Sequence, residues 1–243
     1  MLLFLYTLKR YVWVFPCVFL ASAVVTLLWV PSAPILPYPR TGFAGSLEAV
    51  LPVLIALPLS FLLYDKSSIE LALVHGLDTL NLFGMHFLSV LFWMTTAFGA
   101  VVGCYRVEPL TQEQQAAMTL PLLLPQTLRL HIFLSVVVSA LFFASLVVFL
   151  RVLLKNCFVP IFGVLLTFTL FYERSRALRA AGMRALKGAL FDPYISTYIL
   201  GDAVPLRYGY GYLWSANRLL FFNISLILLV ATALLLRREK MHE

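Results

Sequence analysis

The sequence predicts an all-α membrane protein, a bundle of six transmembrane helices, and three observations carry that expectation. Hydrophobic residues make up 62% of the chain and charged residues only 12%, far from the proportions of a soluble domain. Mean hydropathy is +0.94. The apolar residues also fall in long runs, at 11–30, 47–64, 82–105, 130–150, 157–172 and 219–236, divided by shorter polar stretches. The 243 residues are expected to form a single transmembrane domain, with no length remaining for a soluble catalytic one.

The run from Tyr11 to Val30 carries no charge and is long enough to cross a hydrocarbon core of about 30 Å. Lys9 and Arg10 precede it, but no small-residue cleavage site follows, so it reads as a first span whose basic flank holds the N-terminus in the cytoplasm. Pro31, Pro34, Pro37 and Pro39 then keep the external loop extended. The second span contains Pro52 and Pro58, which kink it and free backbone carbonyls. Glu48 near its outer end is the one carboxylate within these runs; an ionisable group there is either functional or simply reaches the interface.

Between the second and third spans, residues Tyr64 to Gly76 have the grammar of a short cytoplasmic helix. Ser67 is an N-cap, Glu70 completes a capping box and Gly76 can take the left-handed turn that ends it. Ile69, Leu71, Ala72, Leu73 and Val74 leave this short rod hardly any polar face. Such a surface either docks on a partner or lies in the lipid headgroups. Asp78 and Thr79 follow at once as caps for the next helix, which holds the element in a tight corner.

The third span bears Gly84, Gly99 and Gly103, suited to close helix packing, and His86, which at that position is expected to be a hydrogen-bonded structural group. A mixed loop with Gln112, Glu113, Gln114 and Gln115 follows, and its Pro121–Pro125 patch is too short to span. Arg151 to Asn156 is a tight basic turn between the fourth and fifth spans. The fifth run is only marginally long, and Arg174, Arg176, Arg179, Arg184 and Lys187 follow it in a basic, helix-prone segment. Tyr208, Tyr210, Tyr212 and Trp214 form an aromatic belt before the sixth span, and Arg237-Arg238-Glu239-Lys240 stops it.

The net charge of +7 comes from residues scattered at span ends and in one loop, so its counterpart is anionic lipid headgroups rather than nucleic acid. Cys17, Cys104 and Cys157 have no metal-ligand spacing. Six spans with both termini inside leave eight of the 18 Lys and Arg in the cytoplasm (Lys9, Arg10, Lys66, Arg151, Lys155, Arg237, Arg238 and Lys240). That runs against the positive-inside rule because of the 174–187 run. The competing topology makes the fifth run a re-entrant hairpin and exports the C-terminus.

The order of six spans, the stretch Asp65-Lys66-Ser67-Ser68-Ile69-Glu70-Leu71 and the segment Trp214-Ser215-Ala216-Asn217-Arg218 entering the last span resemble permease subunits of type 2 ABC exporters. In that family a Gly-Thr-Leu-Glu-like run follows span two. Glu70-Leu71 fits it, while Ser67-Ser68 and Gly84-Met85 depart from the usual Gly-Thr and Gly-Lys pairs. The resemblance implies that Ile69, Glu70, Leu71, Leu73, Val74 and His75 lie on a coupling helix that binds an ABC ATP-binding subunit, two copies per transporter. It further implies a second permease subunit in a homodimer or heterodimer, and short re-entrant or interfacial helices between spans five and six. The setting would be a prokaryotic cytoplasmic membrane with both termini cytoplasmic.

The chain holds no Gly-x-x-x-x-Gly-Lys-Ser/Thr loop, so no cofactor is expected on it, and ATP and Mg belong to the partner. An ion-coupled carrier and an intramembrane lipid-modifying enzyme are the rival classes. The enzyme would need clustered catalytic groups, whereas His75, His86, His131 and His242 are scattered in sequence.

A cysteine at Ala181 in a cysteine-free background is expected to react with an impermeant thiol reagent added to intact cells. Reaction only after permeabilisation would place the basic run in the cytoplasm and overturn the six-span topology.

Overall fold

The computed structural model describes residues 2–29, 54, 59–60, 79–104, 125–156, 158–181 and 210–240. These build six helices: α1 Leu2–Arg10, α2 Val14–Trp29, α3 Thr79–Cys104, α4 Pro125–Leu154, α5 Phe158–Ala181 and α6 Tyr210–Lys240. Most of the second apolar run, Glu48, the short polar-edged helix and the 182–209 segment fall outside the described residues.

Three helices are long and apolar enough to cross a membrane, within Leu80–Val101, Val136–Leu154 and Ala216–Leu236, and α1 with α2 form a bent pair that would make a fourth span. This is a helical membrane protein. In α5 the apolar part is the shorter stretch Phe158–Thr167.

The first run begins differently from the sequence expectation, because a helix precedes it and the axis turns by 41° between the two. Pro16 supplies the cause. It has no N–H for the Val12 carbonyl and its ring crowds that carbonyl, so the chain opens at Tyr11–Trp13 and Pro16 sits in the first turn of α2, where a missing donor costs little. Lys9 and Arg10 close α1, where cations favour the negative end of the helix dipole.

At the end of α4, Lys155 takes a left-handed conformation (φ 51°) and its N–H donates to the Arg151 carbonyl at 3.0 Å, an αL cap made without glycine. One residue on, Asn156 Oδ1 accepts the Phe158 N–H at 2.8 Å and so caps α5. This corner makes α4 and α5 antiparallel neighbours. Further along, Glu173, Arg174, Arg176 and Arg179 continue the α5 rod without a break; the basic run does not start a separate element before Ala181.

α4 is the central helix, packing on α3, α5 and α6, while α2 and α1 pack on α3 from the far side. Burial follows that order: 56% of the α4 apolar window lies inside the molecule, against 44% for α3 and 17% for α6. The core is a layer of Phe87, Val90, Met94, Ala97 and Phe98 from α3 against Val136, Ala140, Phe143, Ala144 and Val147 from α4. Gly99 near the end of α3 meets Phe133 near the start of α4, so these two helices are antiparallel. On α4 and α6, Ser139 pairs with Arg218 and Phe142 with Phe221, both at the same sequence offset. Matching offsets mean parallel helices in register.

Gly163 on α5 lets Leu150 of α4 approach: a Cβ there would lie 2.8 Å from Leu150 Cδ1. The atom met is the movable tip of a half-buried leucine, so Gly163→Val is expected to lower stability by about 1 kcal/mol, the low end for overpacking, and Leu150→Ala in the same chain to restore most of it. Thermal midpoints of the purified variants in detergent check this; no rescue by Leu150→Ala would mean that α5 does not pack on α4 through this contact.

Candidate functional site

The residues proposed for partner docking, Ile69, Glu70, Leu71, Leu73, Val74 and His75, lie outside the described residues, as does Glu48. Two clusters of buried polar side chains stand out in the described part, one on each side of the α3–α4 layer.

The first lies between the α1–α2 corner and α3. Tyr11, at the corner, brings its hydroxyl within 2.6 Å of His86 Nδ1, with the rings edge to face at 5.5 Å. Both residues are buried. The hydrogen bond can run from the phenol to an unprotonated Nδ1, or from Nδ1–H to the phenol oxygen, according to the tautomer. Thr7 and Ser89 meet beside it at 3.2 Å, where either hydroxyl can donate to the other, and the one that does not donate there gives its single proton to a carbonyl of its own helix, Phe4 at 2.8 Å for Thr7 or Met85 at 2.7 Å for Ser89.

Trp93 completes this cluster for a reason that follows from the break. Val12 N–H turns to the Lys9 carbonyl at 3.3 Å, one residue short of the helical partner, so the Leu8 carbonyl loses its intrahelical donor. Trp93 Nε1–H supplies one at 2.7 Å. His86 is thus the hydrogen-bonded group the sequence suggests, and its partner Tyr11 comes from the flank of the first run.

The second cluster joins α4 and α6. Arg218 is buried, and its Nε and Nη2 both donate to Asn217 Oδ1, at 2.9 and 2.6 Å, while Nη1 donates to Ser139 Oγ at 3.0 Å. A cation inside an apolar bundle is costly unless acceptors surround it, and the guanidinium fork suits a fixed set of acceptors better than an ammonium would. Asn217 and Arg218 belong to the segment Trp214–Arg218 that carries the family resemblance. Its burial and its partner Ser139 were not visible in that resemblance. A sequence signal existed: Asn217, Phe221, Ser225 and Thr232 recur at helical spacing, which marks one inward face on an otherwise apolar helix.

On α4 and α6, three further inward hydroxyls are satisfied locally. Ser145, Ser225 and Thr232 donate to the carbonyls four residues earlier at 2.6 to 2.7 Å, so they bring small volume to the interface without needing a partner across it. Among the described residues, no three His, Cys, Asp or Glu side chains gather to hold a metal ion.

Compared with protein-family profiles, with curated proteins and with solved structures, the chain gives no match.

Ser139→Ala and Arg218→Lys are each expected to lower thermal stability, and the double substitution to cost less than the two together. The coupling should be about 0.6 kcal/mol, the average for hydrogen bonds between membrane helices. Strict additivity in a double-mutant cycle would show that the bond contributes nothing.

Proposed function

We propose that this chain is the transmembrane subunit of an ATP-driven exporter of the type 2 ABC class. Two such bundles, alike or different, form the substrate path, and two copies of a separate ATP-binding subunit hydrolyse ATP with Mg. On this reading the full chain has six spans, a coupling helix between spans two and three, and both termini in the cytoplasm of a prokaryotic cell. The chain itself performs no hydrolysis.

The observation that carries the proposal is the entry to the last helix. Trp214 to Arg218, on which the resemblance draws, lie in the first turns of α6, and there Asn217 and Arg218 are buried, with Arg218 bonded to both Asn217 and Ser139. A segment spent on fixing a helix inside a bundle fits a permease wall better than it fits a soluble-facing tail. The apolar character of the described helices, and of the runs outside them, supports the same class.

An ion-coupled carrier is the second reading, and the buried Tyr11–His86 pair favours it, since ionisable groups within a membrane bundle serve proton and ion pathways in such proteins. The two readings separate on energy source. Transport into inside-out vesicles that requires ATP and survives a protonophore supports the exporter; transport abolished by the protonophore with ATP present supports the carrier.

Leu73→Glu tests the docking element. Burying Leu73 on an ATPase should contribute roughly 1.5 to 3 kcal/mol, and a carboxylate there would have to be desolvated. The variant is expected to insert normally yet lose ATPase co-purification and substrate-stimulated hydrolysis, whereas Ser67→Ala should be milder, at about 0.5 to 2 kcal/mol of helix stability. Normal association and coupling in Leu73→Glu would remove the coupling-helix assignment.

A further inference from the structure

Of the three described helices long and apolar enough to cross a membrane, α6 has the least cover, and its uncovered side is not uniformly apolar. Leu219, Phe222, Leu226, Ile227, Val230 and Leu234 are exposed there, Leu219 to 63% and Ile227 to 66%. Among them Asn223 is exposed too. It follows Ala216, the start of the apolar window, by seven residues, which places it about 10 Å along the helix at 1.5 Å per residue. No hydrogen bond joins its side chain to another described residue.

Lipid tails offer an amide neither donor nor acceptor, so at that depth a protein surface or a water-filled path suits Asn223 better than hydrocarbon does. The spacing around it selects between protein partners. Leu219, Asn223, Leu226 and Val230 are separated by four, three and four residues, the spacing of a coiled-coil seam. Leu219 and Leu226 then occupy one core position of the repeat, and Asn223 and Val230 the other. Leucine at the first with a β-branched residue at the second favours two parallel strands, and a single asparagine in such a seam fixes their register.

We propose that this face of α6 is where a second copy of the chain docks, with the two Asn223 amides hydrogen-bonding to each other across a two-fold axis. An amide carries both donor and acceptor and is therefore its own complement, as the self-facing patch of a two-fold dimer requires. A seam free of charge lets identical surfaces meet without like-charge repulsion. The inference deepens the exporter reading by giving the paired permeases a contact face. It rests on that reading only for its purpose, and its test needs no ATPase, so either can fail without the other.

The test is disulfide trapping in native membranes. In a chain with Cys17, Cys104 and Cys157 replaced by alanine, Leu226→Cys and Val230→Cys are expected to give a cross-linked dimer under a mild oxidant, because seam positions bring Cα atoms within about 7 Å. Phe162→Cys, exposed on α5, serves as the control for random collision. Adding Asn223→Ala should weaken association about 3- to 30-fold, read as lost Val230→Cys cross-linking and as a shift to monomer on dilution in detergent. Asn223→Gln should retain the dimer. Absent cross-linking at both seam positions, or yields at Phe162→Cys equal to them, would overturn the proposal. So would an undiminished dimer in Asn223→Ala.

Discussion

A guanidinium enclosed by apolar helices must take its acceptors with it, and in this chain that requirement fixes how the last helix sits. Arg218 reaches Ser139 across the α4–α6 contact while folding back onto Asn217, its own neighbour. Sliding α6 along α4 by one turn would move the donors by about 5 Å and strip the bonds at once, whereas an all-leucine seam would tolerate the same slip at small cost. The edge-to-face pair Phe142 and Phe221 lies one turn along in the same register. Apolar packing holds α4 and α6 together; the polar contact decides where.

The opposite side of the bundle obeys the same constraint by a different route. Pro16 opens the backbone near Tyr11, and in a membrane a freed carbonyl has no water to turn to. Trp93 answers the Leu8 carbonyl, and Tyr11 turns its hydroxyl to His86. Between these two polar sides, the α3–α4 layer is purely apolar, with Ala97, Ala140 and Ala144 allowing close approach beside Phe98 and Phe143. Specificity sits at the flanks and dispersion at the centre. That division is what a bundle needs when burial from lipid adds little driving force between helices.

The helices themselves were legible in the sequence, because uncharged runs of membrane length leave little choice. Their ends were less so. The helix before the first run hides behind Lys9 and Arg10, which read as a flank yet can also close a helix at its negative end. The basic residues after Tyr172 read as a new element, but arginine and alanine are good helix formers and nothing from Glu173 to Ala181 interrupts α5. The turn was expected over Arg151 to Asn156, but α4 runs on through Leu154 with Arg151 buried, so only Lys155 and Asn156 turn, and the left-handed lysine was not expected because glycine is the usual signal. Of the buried clusters, His86 announced itself by residue type, whereas Tyr11 and Ser139 became partners only through helix packing, which no local pattern encodes.

Arg218 and Asn223 stand five residues apart on one helix, about 140° around its axis at 3.6 residues per turn. One faces α4 and the other faces outward, so α6 carries the internal lock and the candidate pairing seam on nearly opposite sides. A rotation of α6 that improved the meeting of two Asn223 amides would swing the guanidinium away from Ser139. The two contacts therefore constrain one another, and a pair of subunits joined at α6 would have its relative orientation set by how α6 sits on α4. In a transporter whose substrate path runs between two bundles, such a link would tie the shape of the path to the packing inside each bundle. The thin cover of α6 fits that arrangement: apolar packing on α4 holds one face of the helix, the Arg218–Ser139 bond fixes its register, and the other face is left to offer to a partner.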